Sequence, residues 1–316
     1  MSFKHLVHPS LEPMTSPEMA YEMNAETLQA MREQRSEPIG IEYVQDLPVA
    51  STAVFTTLED GHELKLVIYQ PENRSAEALP VIYHIHGGGM VMGTPEMMEV
   101  RNKLLVDKLG VAVVSVDYRL APEYPHPIPV EDCYAGYQWT VANAKTLGFD
   151  TSRIVSMGES AGGGLAAALS LLLRDRGDRS LLGQYLIYPM LDDRTASSVE
   201  PAPPVGEFIW TRASNRFGWG ALLGQEAGGE SVSPYAAPAR AADLSGLPTT
   251  FMYAGALDLF MEEDVDYAKR LMCAGVPTEL HVYPGAPHAF EMVRAGPLAE
   301  QASTDIQRSL RALLQL

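Results

Sequence analysis

The sequence predicts an α/β fold, with a mostly parallel central sheet that helices cover on both faces. From about Thr52 onward, short β-rich runs alternate with stretches that carry apolar residues at three- and four-residue spacing. At 316 residues, with 46% apolar and 20% charged residues, the chain can bury a large core and has the composition of a globular protein.

The individual elements follow from local patterns. The predicted strands are short runs rich in β-branched and aromatic residues: Val54–Leu58, Leu64–Tyr69, Val81–Ile85, Val111–Val116, Arg153–Met157, Tyr185–Tyr188, Thr250–Ala254 and Glu279–Tyr283. The helices predicted between most of them are Met98–Leu109, Val130–Leu147, Ala161–Arg174, Glu262–Ala274 and Pro297–Leu314. The first two strands, joined through Asp60-Gly61, indicate an antiparallel hairpin at the sheet edge.

Two segments interrupt the alternation. Ser16-Pro17 is a favourable helix start, and the pattern predicts a helix from there to about Arg35. The stretch Asp192–Leu247 is too long for a structureless loop, so we expect it to fold as helices of its own. We expect both segments to pack together as a cap over the carboxyl edge of the sheet. The predicted division is cap over 1–50, core over 51–191, cap over 192–247 and core over 248–316.

The charge balance argues against some partners. A formal net charge of -17 repels phosphate backbones and anionic lipid surfaces, so neither nucleic acid nor a membrane is an expected partner. The charges are scattered, which is typical of a solubilising surface. Residues 1–14 contain no apolar segment like that of a secretion signal, and no stretch reaches the about 20 apolar residues of a membrane span. We therefore expect a cytoplasmic protein.

The run GESAG at residues 158–162 marks a candidate nucleophile. It lies where the predicted strand ending at Met157 meets a small-residue helix, and in that context the pattern G-x-S-x-G points to Ser160. Glycines at both flanks remove β-carbons that would clash at so tight a turn. The turn is therefore expected to present the serine hydroxyl.

A serine nucleophile needs a base and a carboxylate that orients the base. His288 lies in a loop directly after the last predicted strand, and Asp258 follows the strand Thr250–Ala254. Both are thus expected at the sheet edge where Ser160 lies. The rival carboxylates are expected in the first turns of the next helix, where they interact favourably with its dipole: Glu262, Glu263, Asp264 and Asp266.

The other histidines are weaker candidates for the base. None of the four considered follows a strand end beside the other candidate residues, so a structural or surface role is expected for each. They are His62, His84, His126 and His281.

A third element follows the strand Val81–Ile85. Consecutive glycines after His86 let the backbone turn its N–H groups toward a negative oxygen, so Gly87 and Gly88 are candidate oxyanion donors, and the N–H of Ala161 completes the set. Taken alone, the run also fits a simple glycine turn. A phosphate cradle lacks its G-x-x-x-x-G-K-[ST] signature, and a metal site at the histidine pair 84 and 86 lacks a third ligand at suitable spacing.

Four ordered motifs resemble those of a known family. With HGGG at 86–89, DYRLAPE at 117–123, GESAGG at 158–163, and the late pair Asp258 and His288, the chain resembles the bacterial hormone-sensitive-lipase-like esterases, often called family IV. The resemblance covers nearly the whole chain. It implies an α/β-hydrolase core with a helical cap that hydrolyses short- to medium-chain carboxylic esters through an acyl-enzyme, with no cofactor.

The resemblance also implies residue roles. Ser160 would be the nucleophile, His288 the base and Asp258 its orienting acid. The oxyanion donors would be Gly87, Gly88 and Ala161. His86 would hold the glycine loop, and an architectural polar network near the site would contain Asp117, Arg119 and Glu123.

The chain departs from the family pattern at three positions. Glu159 stands where many members have aspartate, Leu259 where proline often follows the acid, and Ala289 where glycine often follows the histidine. None of these changes removes a catalytic atom. They are expected to alter the local stiffness of the backbone.

Substrate and assembly stay open at this stage. An amidase or peptidase would use the same triad, whereas a non-catalytic ligand receptor on this fold commonly lacks a triad member. Large apolar side chains in the cap segments either line a pocket for a small-molecule ester or form the core of the cap: Met19, Met23, Met31, Phe208, Trp210, Phe217 and Trp219. An exposed sheet edge or the terminal helix could support a homodimer.

Overall fold

The computed structural model describes residues 2–20, 22–34, 42, 44–74, 77–293 and 296–316. Within these residues, eight strands form one sheet in the order β1-β2-β4-β3-β5-β6-β7-β8. In chain order they are β1 Val49–Thr57, β2 Glu63–Pro71, β3 Leu79–Ile85, β4 Ala112–Asp117, β5 Phe149–Glu159, β6 Leu181–Ile187, β7 Thr249–Gly255 and β8 Thr278–Tyr283.

Helices alternate with these strands. They are α1 Leu28–Gln34, α2 Glu99–Leu109, α3 Ile128–Leu147, α4 Ala161–Asp175, α5 Arg212–Leu223, α6 Met261–Cys273 and α7 Pro297–Leu314. Both α2 and α3 end at a glycine in the left-handed conformation, Gly110 and Gly148, which is a common way to stop a helix. Short 3₁₀ turns occupy Lys4–Leu6, Pro9–Thr15, Pro17–Met19, Pro95–Met98, Pro238–Arg240 and Phe290–Met292.

The sheet is mostly parallel, and the predicted hairpin lies at its edge. Strands β1 and β2 pair antiparallel, as do β2 and β4, while all other neighbouring strands run parallel. The predicted fold class is therefore confirmed. Because the neighbouring strands from β4 through β3 to β8 point the same way, their carboxyl ends meet along one edge of the sheet.

The core consists of two apolar layers, one on each face of the sheet. Along β3, Tyr83 packs into one layer and its neighbour Ile82 into the other, as expected for strands buried on both sides. Helices α3, α4 and α6 cover the first layer, and α2 and α7 cover the second. Helix α4 is buried from Ala161 to Leu173, which its glycine and alanine residues make possible by allowing close approach to the sheet.

The predicted helix from Ser16 to about Arg35 is wrong. Only a 3₁₀ turn follows Ser16, and α1 begins later; Arg35 itself lies outside the described residues. The helix start is set instead by Asn24, whose Oδ1 accepts from the N–H groups of Glu26 at 2.9 Å and Thr27 at 3.0 Å. This side-chain cap satisfies N–H groups that the helix itself leaves without partners.

The segment 192–247 is less helical than predicted. Its described structure contains one α-helix, α5, and one 3₁₀ turn. Buried Asp193 organises part of the remainder by accepting from Arg240 at 2.7 and 2.8 Å and from the N–H of Gly228 at 2.7 Å. Buried side-chain hydrogen bonds thus order a stretch that has little regular secondary structure.

Candidate active site

Ser160 occupies a strained turn between β5 and α4. Its backbone angles are φ 55° and ψ -120°, in a region that residues with a side chain rarely adopt. Its N–H donates to the carbonyl of Ile187 at 2.8 Å, and its own carbonyl accepts from Met190 at 2.9 Å. A β-carbon at Gly158 would lie 2.2 Å from the carbonyl oxygen of Gly162, so only glycine fits there. The surrounding backbone therefore holds the turn.

Three side chains form a continuous hydrogen-bonded line. His288 Nε2 lies 2.9 Å from Ser160 Oγ, and His288 Nδ1 lies 2.8 Å from Asp258 Oδ2. Because the carboxylate can only accept, Nδ1 carries the proton in the neutral ring and Nε2 can accept from the serine. The other oxygen of Asp258 accepts from the N–H of Phe260 at 3.0 Å. This arrangement can deprotonate a serine hydroxyl as it attacks an electrophile.

The three residues reach the site from one edge of the sheet. Ser160 directly follows β5, Asp258 follows β7 and His288 follows β8. All three are buried, with Asp258 fully inaccessible. A dry environment strengthens the hydrogen bonds between them.

The glycine loop after β3 lies against the serine turn. A β-carbon at Gly87 would be 2.9 Å from the carbonyl oxygen of Glu159 and 3.5 Å from Ser160 Cβ. In the part of the chain that the structure describes, the N–H groups of Gly87, Gly88 and Ala161 donate to no protein acceptor. Three such N–H groups next to a nucleophile can stabilise the negative oxygen of a tetrahedral intermediate.

Comparison with known proteins identifies the family of the chain. The family model of the α/β-hydrolase fold matches residues 82–292, more than half of the chain. The chain belongs to this family.

Individual relatives narrow the assignment. An arylesterase from Saccharolobus solfataricus is 34% identical over 243 residues, which cover 77% of this hydrolase and 78% of that protein. The carboxylesterase NlhH from Mycobacterium tuberculosis is 35% identical over 214 residues, or 67% and 66% of the two chains. The solved structure of a bacterial heroin esterase superposes with a TM-score of 0.89 at 34% identity and covers 99% of both chains. Membership of the hormone-sensitive-lipase-like esterases, implied by the motifs, is confirmed.

His86 shapes the glycine loop of this hydrolase. Its buried ring stacks on Tyr118 with centroids 4.3 Å apart, and its Nδ1–H donates to the carbonyl of Gly87 at 2.8 Å. Burial lowers the pKa of His86 to about 4, so the ring is neutral near pH 7. His86 therefore supports the loop as a neutral donor.

The rival carboxylates lie where the sequence predicted them, at the start of α6. Glu263 accepts from the N–H groups of Leu191 at 2.7 Å and Asp192 at 3.1 Å. Asp264 is fully buried, and neither of its carboxylate oxygens has a hydrogen-bond partner among the described residues. Both carboxylates lack the histidine contact that Asp258 makes.

The rival histidines bond elsewhere. His84 Nδ1 lies 2.8 Å from Ser115 Oγ, and its Nε2 lies 3.0 Å from Glu159. His281 contacts Glu279 at 2.7 Å on β8. The remaining two lie in the hairpin turn and in a loop near α5: His62 and His126.

The residues of the DYRLAPE motif form separate ion pairs instead of one network. Asp117 pairs with Lys65 at 3.4 Å. Arg119 pairs with Asp132 at 2.7 Å and with Asp60 at 2.6 Å, and Glu123 pairs with Arg32 at 2.7 Å. These pairs connect the chain after β4 to α1, α3 and the hairpin, which is an architectural role.

The aromatic residues of segment 192–247 divide between the site and the core. Trp210 lies on the glycine loop, since a β-carbon at Gly89 would be 2.3 Å from its ring, and its centroid is 6.4 Å from that of His288. Asn215 Oδ1 accepts from Trp210 Nε1 at 3.1 Å and fixes the indole. Trp219, in contrast, is fully buried in the core.

Sequence reasoning missed three residues near the site. Tyr188 packs edge-on against His288 with centroids 4.8 Å apart, and Arg101 and Glu291 belong to a cluster behind the serine turn. Tyr188 directly follows β6 in the structure, but the predicted strand Tyr185–Tyr188 contained it, so the strand-end rule that selects Asp258 did not select Tyr188. Arg101 carries no such signal, because it is an ordinary polar residue in a helical pattern.

Proposed function

We propose that Ser160, His288 and Asp258 carry the reaction of this enzyme and that its substrates are small to medium apolar esters. The chain is a carboxylic ester hydrolase of the serine type, as its relatives named arylesterase and carboxylesterase indicate. One observation carries the residue assignment: the hydrogen-bonded line from Ser160 Oγ through His288 to Asp258.

In the first half-reaction the enzyme is acylated. His288 Nε2 takes the proton of Ser160 as Oγ bonds to the ester carbonyl carbon. The carbonyl oxygen becomes an oxyanion and accepts hydrogen bonds from the N–H groups of Gly87, Gly88 and Ala161. When the bond to the alcohol oxygen breaks, the imidazolium returns its proton to that oxygen and the alcohol leaves.

In the second half-reaction water takes the place of the alcohol. His288 Nε2 removes a proton from water as the water oxygen bonds to the acyl carbon. The tetrahedral intermediate then expels Ser160 Oγ, which regains the proton from the imidazolium, and the carboxylic acid leaves. Asp258 holds the ring in the required tautomer and stabilises its charged form throughout.

The preference for small to medium apolar esters is supported by the aromatic surroundings. Trp210 is nearly fully buried beside the site, and Phe260 packs edge-on against His288 with centroids 5.3 Å apart. Binding sites that are mostly apolar with few polar groups select apolar ligands. A bulky indole on the glycine loop limits the room for long chains.

We also propose a division of the chain into a core and a cap. Residues 1–50 and 192–247 form a cap on a core of 51–191 and 248–316, supported by the hydrogen bonds from Met23 N–H to Ser214 at 3.0 Å and from Phe3 N–H to Glu207 at 2.7 Å.

The triad requires no cofactor. We propose a cytoplasmic enzyme. The net negative charge of -17 supports the absence of nucleic acid and membrane partners. The outer strands of the sheet, β1 and β8, offer edges for a homodimer. In the part of the chain that the structure describes, every helix falls short of the length and apolar character of a membrane span.

The test is hydrolysis of p-nitrophenyl esters from acetyl to palmitoyl by the parent and by Ser160→Ala. We expect turnover of the short and medium esters, with a loss of roughly a thousandfold or more in kcat for the variant, because the nucleophile is removed. Ser156→Ala is the matched control, since Ser156 lies on the same strand, away from the turn, and should retain parental activity. Parental activity in Ser160→Ala would refute the assignment, and faster turnover of matched amides would favour an amidase.

A further inference from the structure

A buried charged cluster lies directly behind the nucleophile. Glu159, the neighbour of Ser160, is 3% exposed, and its carboxylate lies 2.5 Å from an Arg101 guanidinium nitrogen and 3.0 Å from His84 Nε2. Burial on its own would raise the pKa of Glu159, but the charge of Arg101 and the contact with His84 lower this pKa to about 2. Glu159 is therefore ionised at any working pH and depends on Arg101 as its counter-ion.

The same guanidinium faces a second carboxylate on a different loop. Glu291 follows His288 by three residues, and its Oε1 lies 3.8 Å from the Arg101 nitrogen that contacts Glu159. That oxygen also accepts from the hydroxyl of Tyr253 at 2.9 Å and from the hydroxyl of Tyr188, whose ring packs on His288. Glu291 is thus tied to the surroundings of the base.

Both loops need such support. Ser160 has φ 55° and Ala289, directly after His288, has φ 54°, and both are left-handed values that cost free energy for residues with a side chain. Each loop would relax if it were released. In addition, without the guanidinium, Glu159 and Glu291 would be two neighbouring carboxylates that lack the one cation contacting both of them.

We propose that Arg101 is a positioning residue for ester hydrolysis. Its guanidinium bridges the carboxylate of the serine turn and the carboxylate of the histidine loop, and so keeps Ser160 Oγ and His288 Nε2 at reacting distance. Among the described contacts it reaches neither reacting side chain directly. Both carboxylates contact the same guanidinium nitrogen, so a lysine ammonium at this position would keep part of the bridge. This inference rests on the proposed function.

The test measures the hydrolysis of a short p-nitrophenyl ester by Arg101→Met, by Arg101→Lys, by Glu291→Gln and by the double variant that carries both Arg101→Met and Glu291→Gln. We expect Arg101→Met to lower kcat by roughly 10- to 100-fold, since small misplacements of reacting groups have effects of this size. KM should stay within about threefold, because the substrate contacts remain. Arg101→Lys should recover part of the loss. The double variant should be no slower than Arg101→Met, because both changes break one bridge.

Arg153→Met is the matched control. Arg153 lies on β5, the strand that carries the serine turn, and pairs with Asp150 at 2.6 Å far from the reacting groups. Its kcat should match that of the parent. If Arg101→Met does not fold, Glu291→Gln, which is nearly isosteric, decides the question through its own fall in kcat.

Folded Arg101→Met and Glu291→Gln proteins with parental kcat would overturn the proposal, as would losses that simply multiply in the double variant. Failure of the proposed function has a different signature. In that case the parent itself would not hydrolyse the ester, or Ser160→Ala would be as active as the parent.

Discussion

Two buried carboxylates near the site, Asp258 and Asp264, differ in the hydrogen bonds that stabilise their charge. Asp258 and Asp264 are both fully buried, but Asp258 contacts His288 and the N–H of Phe260, whereas Asp264 has no hydrogen-bond partner among the described residues. Burial therefore raises the pKa of Asp264 well above its usual value, and the nearby charges of Glu263 and Asp258 raise it further. Asp258 therefore has the contacts that its proposed role requires, whereas the buried Asp264 carboxylate lacks any such compensation among the described residues.

Asp264 should make the free energy of unfolding fall as the pH rises. Folding raises the pKa of the Asp264 carboxyl, so this group contributes its full stabilisation of the folded protein below the unfolded pKa of 3.8. That contribution is lost as the pH rises through the folded pKa. We expect Asp264→Asn to melt at least roughly 2 °C above the parent at pH 8. Below pH 3.8, where the carboxyl is protonated in both states, the difference should vanish.

Thermal unfolding followed by circular dichroism at several pH values measures this effect. Asp266→Asn is the control, since Asp266 lies on the same helix with its side chain exposed and should show no such trend. A melting temperature for Asp264→Asn that equals or falls below the parent's at pH 8 would contradict the account.

Among the elements, the segment 192–247 is expected to limit the size of the substrate through one side chain. Trp210 covers Gly89 on the glycine loop and is anchored by Asn215, so it takes up space next to the reacting groups. Removing the indole should make room for longer chains and add apolar contact for them. Binding of each added methylene in an apolar pocket contributes about 1 kcal/mol.

Trp210→Ala is therefore expected to shift chain-length preference. The ratio of kcat/KM for p-nitrophenyl octanoate to that for the acetate should rise by roughly tenfold relative to the parent. Phe217→Ala is the control, because Phe217 lies on α5 in the same segment and packs on the core. An unchanged ratio in Trp210→Ala, or an equal shift in both variants, would argue against Trp210 as the limit on chain length.

The elements differ in how far the sequence determines them. Strands and helices of the core were predictable to within a few residues, because their apolar periods and bounding turns are local signals, as in α7. The helix predicted from Ser16 was wrong, although Ser16-Pro17 is a favourable local start. The side chain of Asn24 caps a later helix start, and the N–H of Met23 is bonded to Ser214 instead of to a helical carbonyl. Local propensity is a weak guide where tertiary contacts decide.

Across the whole molecule, the arrangement of the candidate site followed from topology. Ser160, Asp258 and His288 each follow a parallel strand, so a parallel sheet brings them to one edge even though 128 residues separate the first from the last. The bridge from Arg101 to Glu159 and Glu291 could not be predicted from the sequence. It depends on how α2 packs behind the turn, and no spacing rule encodes that contact.

The most direct measurement is covalent trapping with diethyl p-nitrophenyl phosphate. An activated Ser160 attacks phosphorus and releases p-nitrophenolate, leaving a stable phosphoryl ester on its oxygen. We expect one p-nitrophenolate per protein chain, loss of esterase activity in step with that release, and a single modified peptide that contains Ser160. Modification at another residue, or full modification with esterase activity retained, would contradict it.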